Sequence, residues 1–453
     1  MKLAAPSPRW LWLLVPPLIV ASVLGAERLA APAAGFEPRL PPAALRPVKL
    51  PDTAPRTFAA ALARADADLA AAQARVAEHP GEWVFLEGLS RRWSTRARLT
   101  GAFEDYAAAQ AALDRAFTLA PAGSGPHLTQ AALHFTLHRL DAAERTLDAI
   151  DRYAVPPDAM ERAEALALRG DIAFYRGDLE AAEARYRAAD ALEPGAGTAF
   201  RWAVYFTKTG RLAEAERFFD AAVRASRMPT MQFRANVELQ KGTLYLERGQ
   251  WDRALGYFRR ADALFPGYYA IQEHIAEALT LKGQTAEAEA MYADIVRRTG
   301  NPEFMDALAG IAAGRGDAAG AAAWRTKAAA QWERRLKLLP EAAYGHALDH
   351  YISAGDPERA LEIARRNHAA RPNGDSRALL AEALLKAGRP SEARQVIEPV
   401  LKSAWNTAQL HGVASQVYAV VGDRRGAGRE RAKALAINPH ELDDATALPK
   451  VFN

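Results

Sequence analysis

The chain has 453 residues, half of them apolar and a quarter charged, which is ordinary for a folded protein and enough to bury a continuous core. Its formal charge of +4 is weak for that length, and no basic run interleaved with aromatics occurs, so nucleic acid is excluded as the expected partner. The absence of cysteine excludes both a disulfide framework and a lipid-modified cysteine.

In chain order, Lys2 and Arg9 first precede an apolar stretch, WLWLLVPPLIVASVLGA from Trp10 to Ala26, intermediate in length between a secretory h-region and a membrane span. Residues 1–26 therefore read as a signal peptide or an N-terminal membrane anchor. A cut after Gly25 puts Val23 and Gly25 at the small-residue positions, whereas a cut after Ala26 puts Leu24 there, so the cleavage site is poor. Pro16 and Pro17 weaken a straight span without forbidding one, and both outcomes stay open. Either outcome predicts a periplasmic protein, with residues 10–26 held in the inner membrane if the segment is retained. Residues 27–57 are rich in Pro and Ala, lack helical periodicity and read as an extended linker.

Residues 58–89 are expected to cap the fold, with an Ala-rich helix from Phe58 to His79. From about residue 90 to Pro439 an eighteen-residue phrase dominates. It reads GDLEAAEARYRAADALEP from Gly177, GQWDRALGYFRRADALFP from Gly249, GDPERALEIARRNHAARP from Gly355 and GDRRGAGRERAKALAINP from Gly422. Weaker copies begin at Gly210, Gly283 and Gly388, and His138 takes the place of the glycine before RLDAAERTLDAI. Gly177 to Gly210 is 33 residues, Gly249 to Gly283 is 34, Gly355 to Gly388 is 33 and Gly388 to Gly422 is 34, with two longer steps of 39. Apolar residues such as Leu179, Ala182, Tyr186 and Ala189 recur every three or four positions, the mark of a helix facing a core. The glycine supplies the turn before that helix and the proline stops it. Upstream of each glycine lies another apolar helix, and small residues seven positions before the turn, Gly170 and Gly242 among them, let the two approach closely. One such pair cannot bury its apolar face alone, so pairs must stack. ELDDATALPKVFN, within residues 440–453, reads as a short tail.

A period of about 34 residues with these landmarks, met together by Gly242, Tyr245, Gly249, Ala254, Phe258, Ala261 and Pro266, resembles the tetratricopeptide repeat. The resemblance implies an all-α, right-handed superhelical solenoid of about nine to ten helix-turn-helix repeats. Its concave face would be lined by the first helix of each pair. Counting six residues back from each turn glycine then places Asp171, Val204, Thr243, Glu277, Gly310, Asp349, Glu382 and Gln416 on that face, with Glu273 ten back from Gly283. Four of those eight are acidic and none is basic, while Arg91 and Arg98 make the N-terminal end basic. Tyr175, two before its glycine, borders the same face. Repeats that clamp chaperone C-terminal carboxylates carry Asn six back and Lys ten back; these positions hold neither here.

Phosphate loops, nucleophile elbows and H-E-x-x-H helices are missing, and the repeats occupy the length that a catalytic domain needs, so neither an enzyme nor a cofactor is expected. Two histidine pairs have the i, i+4 spacing of a metal site. His134 falls on a packing position; His346 and His350 flank Asp349 on one helix, with Glu382 a conceivable further ligand. The leading expectation is a non-catalytic scaffold of the bacterial cell envelope that holds a segment of another envelope protein. The alternatives are a periplasmic metal- or glycan-binding module centred on His346, Asp349 and His350, and a self-assembling structural element.

Overall fold

The computed structural model describes residues 38–43, 50 and 53–443, and among these residues there are twenty-one helices and no strand. The signal or anchor at 1–26, residues 27–37, 44–49 and 51–52 of the linker at 27–57, and residues 444–453 lie outside the described residues.

Helix α1 (Phe58–Glu78) presents Ala61, Ala65, Leu69 and Val76 as one buried stripe, and Thr57 caps it by accepting from the Ala60 amide at 3.2 Å. Ten helix pairs follow. The first three are α2 (Trp83–Thr100) with α3 (Phe103–Leu119), α4 (His127–Thr136) with α5 (Leu140–Ile150), and α6 (Ala159–Tyr175) with α7 (Leu179–Leu192). Next come α8 (Ala196–Lys208) with α9 (Leu212–Ala225), joined through Phe200 and Phe219, and α10 (Met231–Leu246) with α11 (Trp251–Leu264), joined through Gly242 and Phe258. The series continues with α12 (Tyr269–Leu281) and α13 (Thr285–Thr299), then α14 (Pro302–Gly314) and α15 (Ala318–Leu338). It ends with α16 (Pro340–Ala354) and α17 (Pro357–Ala370), α18 (Gly374–Lys386) and α19 (Pro390–Val400), and α20 (Ala408–Val420) and α21 (Arg424–Ile437). The first pair opens at Trp83, before the residue 90 expected from the repeat landmarks, because Leu86 and Leu89 already bury against α1 and α3.

One turn chemistry joins most of these pairs. The glycine after the first helix adopts positive φ, 77° at Gly177 and 86° at Gly422, a region an L side chain resists. The next residue's amide then reaches back to a carbonyl five positions earlier: Asp178 to Ala173 at 2.9 Å, Gln284 to Leu279 at 2.8 Å and Asp423 to Tyr418 at 2.9 Å. Where that residue is aspartate it also starts the second helix, since Asp178, Asp317, Asp356 and Asp423 each accept an amide three residues on. The recurring Gly-Asp thus closes one helix and opens the next. His138 is the one described non-glycine residue at positive φ, 59°, in keeping with its glycine-like place.

The two 39-residue steps resolve differently. One extends α15 to 21 residues, against 14 for α11 and α17; the other lengthens the connection before α10 and makes α10 16 residues long.

The helices fall into two compact units. The first comprises the described residues of Leu13–Thr207 and Arg211–Val237; its core includes Leu69, Leu86, Leu89 and Ala116 near the start, and Phe135, Leu147, Leu168 and Ile172 further on. The second comprises the described residues of Glu238–Asn453 together with Lys208–Gly210. In this second unit the Asn406 amide donates to the Lys208 carbonyl at 2.8 Å, and the Lys208 ammonium lies 3.0 Å from Asp375 and 3.3 Å from Glu247.

Candidate protein-binding site

The first helix of each pair carries the residues expected to meet a partner. In the first unit these are ion-paired or packed. Arg91 is exposed on α2 and held by Glu87 at 2.7 Å and Thr129 at 3.2 Å, and the half-buried Arg98 donates to Thr95 at 3.3 Å. Tyr175 is wedged edge-on against Phe135, 5.1 Å between centroids, and stacked on His138 at 5.9 Å. Asp171 is buried and fully engaged: the Tyr186 hydroxyl donates to it at 2.8 Å and Arg201 at 2.8 Å. Arg201 also forks onto Glu164 at 2.7 and 3.2 Å. Burial pushes the Asp171 carboxyl up to about 6 against the pull of the Arg201 charge. Asp171, expected to face a ligand, is therefore part of an internal ion-pair network, because Arg201 of the next pair reaches it.

The second unit differs. On α12, Glu273 is fully buried and Glu277 nearly so. Glu273 touches His274, yet neither of its oxygens accepts a hydrogen bond, and burial followed by the charge of Glu303 drives its pKa well above the carboxylate range. Glu382 on α18 is 2% exposed, and its carboxylate is in a long ion pair with Lys386 at 3.5 Å. Burial pushes Glu382 up to about 7, with Lys386 opposing. Asp349 on α16 is partly exposed and is also driven well up, first by desolvation and then by Glu382, Glu303 and Asp306. Gln416 is half-buried on α20.

The histidines of α16 do not form a metal centre with Asp349. His346 Nδ1 lies 2.8 Å from Glu303 and His350 Nδ1 lies 2.7 Å from Asp306, so both rings face α14. The i, i+4 spacing is real, but what it matches is a pair of carboxylates three residues apart on the preceding first helix. Among the described residues no group of three or more His, Cys, Asp or Glu is placed to hold a metal ion. Glu303 is left below its usual range: burial raises it, and the neighbouring His346 outweighs that. Burial raises Asp306, against hydrogen bonds from His350 and from Trp332 Nε1 at 2.8 Å.

Glu303 and Asp306 were not anticipated. They stand thirteen and ten residues before Gly316; the second is the offset that singled out Glu273, so identical counting would have found Asp306. Arg201 leaves no comparable signal, since nothing in the repeat pattern marks the side chain nine before Gly210 as a partner for Asp171.

Paired helices of fixed period, joined by one turn type and carrying their polar residues along the first helices, define a helical-repeat interaction scaffold. The sequence profile of the tetratricopeptide repeat matches residues 245–311 and 351–417. These two stretches are tetratricopeptide repeats. No curated protein matches it in sequence. Among solved structures it is similar to a tetratricopeptide repeat protein from Parabacteroides merdae, at 17% identity over 57% of this chain and 99% of that one, with a TM-score of 0.34. It is also similar to PilW, a type IV pilus biogenesis factor, at 21% identity over 46% of this chain and 92% of that one, TM-score 0.38. A third is the Cut9–Hcn1 hetero-tetramer of the APC/C, at 15% identity over 88% and 84%, TM-score 0.37. Among the described residues no helix is long and apolar enough to cross a membrane.

Proposed function

We propose that the chain is a non-catalytic scaffold that holds a segment of another protein along the first helices of its second unit. The observation that carries this is that first helices of adjacent pairs pack on one another, α14 on α16 and α18 on α20, which sets their polar side chains side by side. A row of this kind suits an extended or helical segment contacted by one or two side chains per pair. In this reading residues 1–26 export the chain, cleaved or retained as an inner-membrane anchor, and the partner is another component of the cell envelope. The apolar run after Lys2 and Arg9 supports that part.

The test is photocrosslinking in living cells from Asp349 and Gln416, both partly exposed, with fractionation of the full chain and of a chain lacking residues 1–26. One dominant envelope adduct, lost when the leader is removed, is the expected result. Absence of adducts at both positions defeats the scaffold assignment, and unchanged fractionation defeats the export assignment.

A further inference from the structure

Two buried acids of the second unit are matched less fully than Asp171 in the first. Asp171 and Glu164 share Arg201, whereas the buried Glu273 has only the neighbouring His274 ring against it and the buried Glu382 only Lys386 at 3.5 Å, with no well-formed hydrogen bond to their carboxylate oxygens. The Nε2 atom of His346, a residue only 7% exposed, likewise has no hydrogen-bond partner, its other nitrogen being spent on Glu303. Glu303, Asp306 and Asp349 are partly exposed, and their charges couple to the buried pair, Glu303 to Glu273 and Asp349 to Glu382. The row thus combines buried polar atoms that lack hydrogen bonds with carboxylates that solvent reaches. The charged and titratable groups acting on it are Lys386, 3.5 Å from Glu382, His346 and Arg335 on Glu303, His350 on Asp306, His274 against Glu273, and the like charge of Glu441 on Glu382. A desolvated carboxylate left unpaired is costly and keeps a proton until a cation arrives.

We propose that this row seats cationic side chains, lysine or arginine, of a bound protein segment, which enter past Glu303, Asp306 and Asp349 and pair with Glu382 and Glu273. Charge complementarity selects the occupant: five carboxylates on four consecutive first helices call for positive charges spaced along a chain, and they are not grouped for a metal ion. The proposal rests on the scaffold reading above and adds the partner's chemistry to it. Each cation seated on a protonated acid displaces a proton, so binding is coupled to proton release; the Glu382 carboxyl, up to about 7, is the group most affected near neutrality.

The experiment is calorimetric titration of the full chain at pH 7 with a short peptide alternating lysine and alanine, with its norleucine counterpart, and with spermine. The lysine peptide is expected to bind with proton release, seen as a heat that changes with the buffer's ionisation enthalpy, and the norleucine peptide is expected not to bind. Glu382→Gln and Asp349→Asn should each weaken binding about tenfold. Glu289→Gln, at an acid of α13 paired with Arg315, should leave it unchanged. Asp349→Asn serves if Glu382→Gln disturbs the fold. Equal binding of the norleucine peptide, equal weakening by Glu289→Gln, or absence of proton release each overturns the proposal, and tighter binding of spermine than of peptide overturns the assignment to a protein segment. A crosslinked partner whose captured segment has no lysine or arginine would sink this inference and leave the scaffold reading standing.

Discussion

The ring of His440 lies on the ring of Trp251, with centroids 4.3 Å apart and planes 29° from parallel. The residue beyond the last helix is thereby fastened to the first residue of α11. Asn438 sits against Gly249 beside them, and His440 is itself steadied by Asp443 at 2.8 Å. An aromatic pair of this geometry contributes about 1 kcal/mol beyond its area. His440→Ala is expected to speed amide exchange across residues 434–443 and at the start of α11 about fivefold, in step with that energy. Exchange unchanged at both ends would mean that Asn438 holds the junction without the stack.

Close approach of paired helices depends on two glycines. A Cβ at Gly170 would lie 2.6 Å from the Tyr186 ring, and one at Gly242 would overlap the Phe258 ring. Alanine in a helix normally gains about 1 kcal/mol over glycine, but forcing these rings aside costs about 1–3 kcal/mol, so Gly170→Ala and Gly242→Ala should lower Tm. Gly256→Ala on α11, whose nearest atom is 3.8 Å away, should raise it. Thermal unfolding of the three variants decides the sign at each site.

Arg201 is 4% exposed and carries two carboxylates, so its removal strands both. Arg201→Leu is expected to cost about 3–5 kcal/mol, the toll of leaving a buried ion without its partner. Protonation relieves Asp171, and the loss should therefore be smaller at pH 5 than at pH 8. Denaturant unfolding at the two pH values checks this, and an equal loss at both would remove Asp171 from the account.

Glu382 predicts a stability that falls as pH rises. Its folded pKa lies above the ordinary 4.5, at about 7, so the folded state holds a proton that the unfolded state releases. Stability from this group is present below pH 4.5 and falls as pH rises toward 7, by up to about 3 kcal/mol. Glu382→Gln removes the titration, so the variant should gain on the parent between pH 5 and pH 8. A constant difference across that window would show that Glu382 is already satisfied when ionised.

Much of the architecture was legible before any coordinates. The 33- and 34-residue spacing, the turn glycines and the small residues at 170 and 242 are local signals, because each acts on backbone or side chains within one helix pair. The inward offsets were legible too, and they led to Glu273, Glu277, Asp349 and Glu382. The same rule misjudged Asp171, since it counts acids along the chain and is blind to Arg201 on the next pair, 30 residues later. It likewise turned His346 and His350 into candidate ligands, whereas α14 offers them Glu303 and Asp306.

The sequence by itself determined that the chain is built of paired helices, where each pair turns, and which helix carries the polar row, because turn sterics and helical periodicity operate over a few residues. Only the tertiary structure decided which charges in that row are already matched. A carboxylate's state depends on what the neighbouring pair brings within about 3 Å of it, as Asp171, salt-bridged to Arg201, and Glu273, which no residue of a neighbouring pair hydrogen-bonds, show.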